Sequence, residues 1–212
     1  MRITVFGATG DVGSRVITEA LWRGHDVRAI SRDPSRVRGL PDTVEVRAAD
    51  ASDADQVAAA VAGSDLVISA TRPAPGQEHE LAQVAAALLE ALADSEIRLL
   101  VVGGAGSFLV PGTGAILSEQ PGFPAELLPI ADACNQQLAV FQESEHAVDW
   151  AYLSPATLLE PGVRTGVFRL GTDELLADHE GNSAISMEDL AIVLLDEAEQ
   201  PKHHRARFTA AY

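Results

Sequence analysis

The stretch "VFGATGDVGSRV", residues 5–16, decides how the chain is read. It sets Gly7, Gly10 and Gly13 three residues apart, between a β-type run and a helical pattern. The run is Arg2 to Phe6; the helix, Asp11 to Arg23, carries Val12, Val16, Ala20 and Leu21 on one face. In that setting each glycine has its own task. The first permits a sharp turn, the second lets backbone approach a pyrophosphate, and the third lets helix and strand pack closely. The helix N-terminus adds free N–H groups and partial positive charge. The pattern implies a dinucleotide at the end of the first strand.

Outward from this turn, strand and helix signals alternate. Gly24 fits a helix C-cap, and Asp26 to Ile30 reads as a second strand. Asp33-Pro34 opens a short helix, and Thr43 to Arg47 forms a third strand. Ser52 with Asp55 resembles a capping box for a helix to Ala62. Leu66 to Ala70 and Arg98 to Val102 are apolar strands flanking a helix from Gln77 to Ala93. Residues 103–124 are rich in glycine and proline without a period, the pattern of a substrate loop. A helix over Ala125 to Ala147 follows, then a sixth strand, Trp150 to Leu153. Ser186 and Asp189 cap a helix to Glu199, and Arg205 to Ala210 adds a final strand. The expectation is one α/β doubly wound Rossmann domain, residues 1–212, built on a parallel sheet. Its substrate-side elements fall at about 104–124 and in a small C-terminal region at about 155–185.

Composition narrows the partners. A net charge of −16 argues against nucleic acid and against an anionic membrane surface. The single cysteine, Cys134, excludes an internal disulfide and fits a reducing compartment; it reads as a small apolar residue on a helix. Ile3 to Phe6 goes directly into a strand with no signal-like stretch, and Leu81 to Ala93 is too short to span a bilayer. These features point to a soluble, cytoplasmic chain. Trp22 and Trp150 are expected to pack in the core or at its edge.

Nucleotide choice turns on the end of strand 2. An acidic residue there would bind the ribose hydroxyls of NAD and repel a 2′-phosphate. This chain has Ser31-Arg32, followed by Arg36 and Arg38. Arg32 can stack on adenine and pair with the phosphate, with Arg36 assisting, which favours NADP(H) over NAD(H).

"VFGATGDVGSRV", "AISRDPSRV", "RAADASD" and "LVISATR" resemble the NAD(P)H-binding, NmrA-like branch of the atypical short-chain dehydrogenase/reductases. "VGGAGSFLVPG", "DWAYLSPATLLEPGVRTG" and "ISMEDLAIVLLDE" extend the likeness over nearly the whole chain, toward NAD(P)H-flavin reductases and flavin reductase/biliverdin reductase B. The resemblance implies that Gly7, Thr9, Gly10, Asp11 and Val12 meet the phosphates, with Gly13 completing the turn. It puts Arg32 at the 2′-phosphate, Asp50 and Ala51 beside adenine, and Ala70, Thr71 and Arg72 along the ribose and pyrophosphate. Gly103, Gly104 and the residues to Ser107 would line the nicotinamide, and Pro155, Ala156 and Thr157 would meet its carboxamide edge.

One departure stands out. The tyrosine-x-x-x-lysine pair of typical short-chain dehydrogenases is absent: the only lysine is Lys202, and the tyrosines are Tyr152 and Tyr212. Reducing an isolated ketone needs a proton donor, whereas hydride addition to a flavin gives a delocalised anion that water can protonate. The expected activity is therefore hydride transfer to a flavin, taken as a substrate rather than a tightly bound cofactor, or to a similar planar or quinone-like acceptor. Ser107 is the best polar candidate near the reacting atoms, and His79 a weaker one. His179, His203 and His204 lack metal-binding spacing, so no metal is expected; Ser107, His146 and Asp149 lack a hydrolase elbow. The alternative is a non-catalytic NmrA-like sensor of NAD(P) that acts through a protein partner.

Overall fold

Runs such as Ile3-Thr4-Val5-Phe6 and Leu66-Val67-Ile68 are buried on both sides, as parallel strands must be when helices cover a sheet. The computed structural model describes residues 1–212. In chain order the elements begin β1 (Arg2–Phe6), α1 (Asp11–Trp22), β2 (Asp26–Ser31), β3 (Glu45–Ala48) and α2 (Ala54–Val61). There follow β4 (Leu66–Ser69), α3 (Glu80–Leu92), β5 (Arg98–Val102), α4 (Leu128–Glu143) and β6 (Trp150–Pro155). The chain closes with β7 (Leu158–Glu160), β8 (Arg169–Gly171), β9 (Ala184–Ser186), α5 (Met187–Glu199) and β10 (Ala206–Ala211).

Eight strands form one sheet in the order β3-β2-β1-β4-β5-β6-β10-β8, parallel except where β8 runs against β10. The chain moves outward from β1 to β3, then crosses back to β4 on the other side of β1. That reversal opens a crevice beyond the carboxyl ends of β1 and β4, the place where such sheets bind ligands. Helices α1 and α5 cover one face, around Ile3, Val16, Ile17, Leu190 and Leu194. Helices α2, α3 and α4 cover the other, around Val67, Leu88, Leu99, Phe141 and Trp150. No helix is long and apolar enough to cross a membrane.

Several boundaries differ from the sequence reading. The N-cap of α2 is Asp53, whose carboxylate accepts from the Gln56 backbone and side chain, while Ser52 bonds the Asp50 carboxylate. An ionised carboxylate is the stronger acceptor, so the capping box sits one residue later than Ser52 and Asp55 suggest. Residues 77–79 form turns rather than the first turn of α3. Strands β7, β8 and β9 have three residues each, too few to display a period of two. Trp150 is buried against Phe141, but Trp22 is 71% exposed, with the Arg164 guanidinium 4.2 Å above its ring. Arg164 arrives from a distant loop, held there by Glu19, which sequence spacing could not foretell.

The tightest point of the fold is the turn between β1 and α1. A Cβ on Gly13 would lie 2.1 Å from the Gly7 carbonyl oxygen. Gly13→Ala should therefore push α1 off the turn and cost about 1–3 kcal/mol, read as a lower Tm and urea midpoint. An unchanged midpoint would mean that the helix slides freely at this contact.

Candidate functional site

Gly7 adopts a φ of +77°, and a Cβ there would stand 2.3 Å from the Ala70 carbonyl oxygen. Only glycine allows β1 to turn this close to the end of β4. The Gly10 amide donates to the Gly7 carbonyl, closing the turn at 2.9 Å. Gly10 is also the N-cap of α1 and has no side chain to cap it, so the first helical amides keep their donors for a ligand. A phosphate fits this cradle by charge and by donor supply.

The turn forms one wall of a cleft of about 1190 Å³. Thr9, Gly10, Asp11 and Val12 line it beside Gly7; Gly13 faces the turn instead and acts through packing. Arg32 and Arg36 line it after β2, Asp50 and Ala51 after β3, and Ala70, Thr71 and Arg72 after β4. Residues far apart in sequence thus share one surface. Arg32 is more than half exposed and reaches the Glu80 carboxylate on α3 at 3.4 Å. The Ser52 amide and hydroxyl hold the Asp50 carboxyl below its ordinary value, so it stays ionised beside Arg32.

The other half of the cleft carries different chemistry. Gly103 and Gly104 line it after β5; Pro155, Ala156 and Thr157 line it after β6. The 103–124 loop adds Leu117, Gln120 and Phe123, and the start of α4 adds Leu127 and Ile130. Leu158 and Met187 complete the wall from β7 and α5. The sequence places the loop and the 155–185 region on this side but does not mark Leu127, Ile130 and Met187, because nothing local marks an apolar residue as cleft-lining. Cys134 also borders the cleft, half-buried and close beneath Gly104. Burial pushes its thiol up to about 11, so it is a neutral wall atom and not a nucleophile.

The two candidate proton-handling side chains fall outside this surface. Ser107 is turned toward Arg207, whose guanidinium donates to the Ser107 hydroxyl at 2.8 Å and to its carbonyl at 3.1 Å. Arg207 is in turn paired with Asp173 and stacked over Phe108, so Ser107 belongs to a clamp behind the loop. His79 is exposed at the N-cap of α3 and does not line the cleft. Nor does either tyrosine. Tyr152 is buried under Gly103, its hydroxyl donating to the Cys134 carbonyl and the Gln137 side chain. Burial drives its phenol well above the ordinary value. Tyr212 donates to the Asp189 carboxylate at 2.9 Å.

Asp189 braces the wall that carries Met187. Burial alone would raise its carboxyl, yet donors from Gly166, Thr165 and Tyr212 hold it below the usual value. Its own amide donates to Ser186, the N-cap of α5. One carboxylate thus ties the 165–166 loop and the C-terminal residue to the start of a helix.

The model of the NAD(P)H-binding family matches residues 7–201, which run from the first glycine of the turn to just beyond α5. The chain belongs to the NAD(P)H-binding family. Several relatives match it along its whole length and not at the turn alone. It is 38% identical to the uncharacterized protein YwnB of Bacillus subtilis (strain 168), across 99% of this chain and 97% of that one. A "putative epimerase" from Bacteroides thetaiotaomicron superposes with a TM-score of 0.90 at 38% identity, covering 100% of this chain and 96% of its own. A "putative NADH-flavin reductase" from Streptococcus pneumoniae TIGR4 superposes with a TM-score of 0.89 at 30% identity, covering 100% and 99%. The names of these relatives differ in chemistry while their fold coincides, so the fold alone assigns no reaction.

Two outcomes follow from this geometry. Ser107→Ala should leave dinucleotide affinity within about twofold and lower stability by about 1 kcal/mol, since it loses one hydrogen bond outside the cleft. A large loss of affinity in calorimetry, with the fold intact, would bring Ser107 back into the site. Asp189 has a folded value below its unfolded one, so its contribution is present at neutral pH and disappears as pH falls below about 4. Asp189→Asn should melt earlier than the parent at pH 7, with the gap narrowing only under acid conditions. A gap independent of pH would show that the charge is irrelevant.

Proposed function

We propose that this protein is an NAD(P)H-dependent reductase, NADP(H)-preferring, that delivers hydride to a flavin or similar planar, quinone-like acceptor. The observation that carries the reading is the continuity of the cleft. It runs from an uncapped helix N-terminus and two arginines at one end to an apolar, ring-sized surface at the other. Bound along it, the nicotinamide cofactor supplies the hydride.

The chain's own residues orient and shield. The free amides at Asp11 and Val12 take the pyrophosphate, while Arg32 and Arg36 take the adenosine 2′-phosphate. The Arg32–Glu80 pair is exposed and worth at most about 1 kcal/mol, so a phosphate dianion displaces it readily. Gly103 and Gly104 have no side chains to stand between a nicotinamide ring and the floor formed by Tyr152 and Cys134. Thr157 has its hydroxyl committed to the Ser183 carbonyl at 2.9 Å, and its backbone N–H donates to the Ser183 hydroxyl at 3.4 Å. No acid or base is poised at the acceptor side, and none is required when the reduced acceptor is a delocalised anion protonated by water. Catalysis here rests on stacking and separation.

Arg32→Asp should weaken NADPH binding by about tenfold or more and leave NADH nearly unchanged, measured by fluorescence titration. Equal losses for both nucleotides would remove the 2′-phosphate assignment. The activity itself is tested by following NADPH oxidation with riboflavin across enzyme concentrations, with NADPH binding measured in the same sample. Turnover proportional to enzyme supports the reductase; bound NADPH without turnover replaces it with an NAD(P) sensor acting through a protein partner.

A further inference from the structure

The charges of the cleft are segregated. Its guanidinium groups (Arg32, Arg36, Arg72) and its carboxylates (Asp11, Asp33, Asp50, Glu80) all lie on the loops after β2, β3 and β4 and at the starts of α1 and α3. The half built by the 103–124 loop, the start of α4, β7 and the start of α5 presents no ionised side chain. Its surface is Leu117, Phe123, Leu127, Ile130, Leu158 and Met187, with Gln120 and Thr157 as the polar members and the Cys134 thiol neutral.

The sequence explains the pattern. Between Arg98 and Arg164 there is no lysine or arginine, and that span supplies nearly all of the acceptor half. The exposed charges nearest in sequence to its lining residues are Glu119, Glu126, Asp132 and Glu160, all negative, on a chain of net charge −16. An anionic group buried there loses hydration and meets no cation, and the surrounding field opposes it. Arg72 is the guanidinium whose charge acts on Cys134, and the family resemblance puts it along the ribose and pyrophosphate of the cofactor.

From this segregation we infer that the acceptor subsite selects uncharged planar rings and discriminates against the same rings bearing a carboxylate, sulfonate or phosphate close to the ring. The inference rests on the reductase reading and sharpens it: the acceptor class is a neutral quinone or a bare isoalloxazine. A phosphorylated flavin is accommodated only with its phosphate out in solvent.

The test separates the two. Anthraquinone carboxylate and its neutral hydroxymethyl analogue have nearly the same shape and cannot alkylate Cys134. Their binding is measured by calorimetry on the protein saturated with NADP+, where no hydride is available and Arg72 already faces phosphate. The neutral ring should bind at least about tenfold tighter. Leu127 is 45% exposed at the rim, so Leu127→Lys should fold and narrow that ratio by supplying the missing cation. Equal or tighter binding of the carboxylate to the parent protein overturns the charge selection while leaving the reductase reading in place. If neither ring binds and riboflavin supports no NADPH oxidation, the reductase reading itself falls and takes the inference with it.

Discussion

Everything in this molecule is arranged around one crowded point, where the backbone leaving β1 passes between the end of β4 and the start of α1. Gly7 lies against the Ala70 carbonyl, and Gly13 lies against the Gly7 carbonyl. Neither contact leaves room for a methyl group. Because the backbones meet there, α1 starts directly beneath the crevice opened by the β1–β4 reversal, with its uncapped amides facing the cleft. The cradle is thus a consequence of close packing, and the donors it offers are backbone amides.

From that point the cleft extends along the carboxyl ends of successive strands, and its chemistry changes as it goes. The first strands contribute arginines and carboxylates on short loops. Beyond β5 the loops are long and apolar, and their anchors lie behind the surface. Arg207 with Asp173 clamps the loop at Ser107, and Asp189 ties the last residue of the chain to the N-terminus of α5. Both polar networks are spent on holding the wall. This explains how a cleft with no acid or base beyond β5 still has a defined shape there.

The fold and the geometry of the glycine turn were largely legible in the sequence, since both depend on local signals. Three glycines at fixed spacing and short apolar strands each carry their meaning within a few residues, and Arg32, directly after β2, lines the cleft. The acceptor half was only partly legible. The glycine- and proline-rich loop announced itself, but Leu127 and Met187 reach the cleft at helix starts that no local signal marks as lining. Ser107 misled for a related reason: a serine after β5 has two directions to face, and its partner Arg207 is a hundred residues away. Trp22 was misplaced because its covering group, Arg164, comes from a loop with no regular structure. Long-range ion pairs decide these orientations, and pattern reading does not see them.

The most direct measurement is a crystal structure of the protein grown with NADP+. The account requires the pyrophosphate on the amides at the start of α1, the 2′-phosphate within reach of Arg32, and the nicotinamide against Gly103 and Gly104, with the apolar half of the cleft open beside it. A nicotinamide turned away from that surface, or a dinucleotide bound outside the β1–β4 crevice, would contradict it.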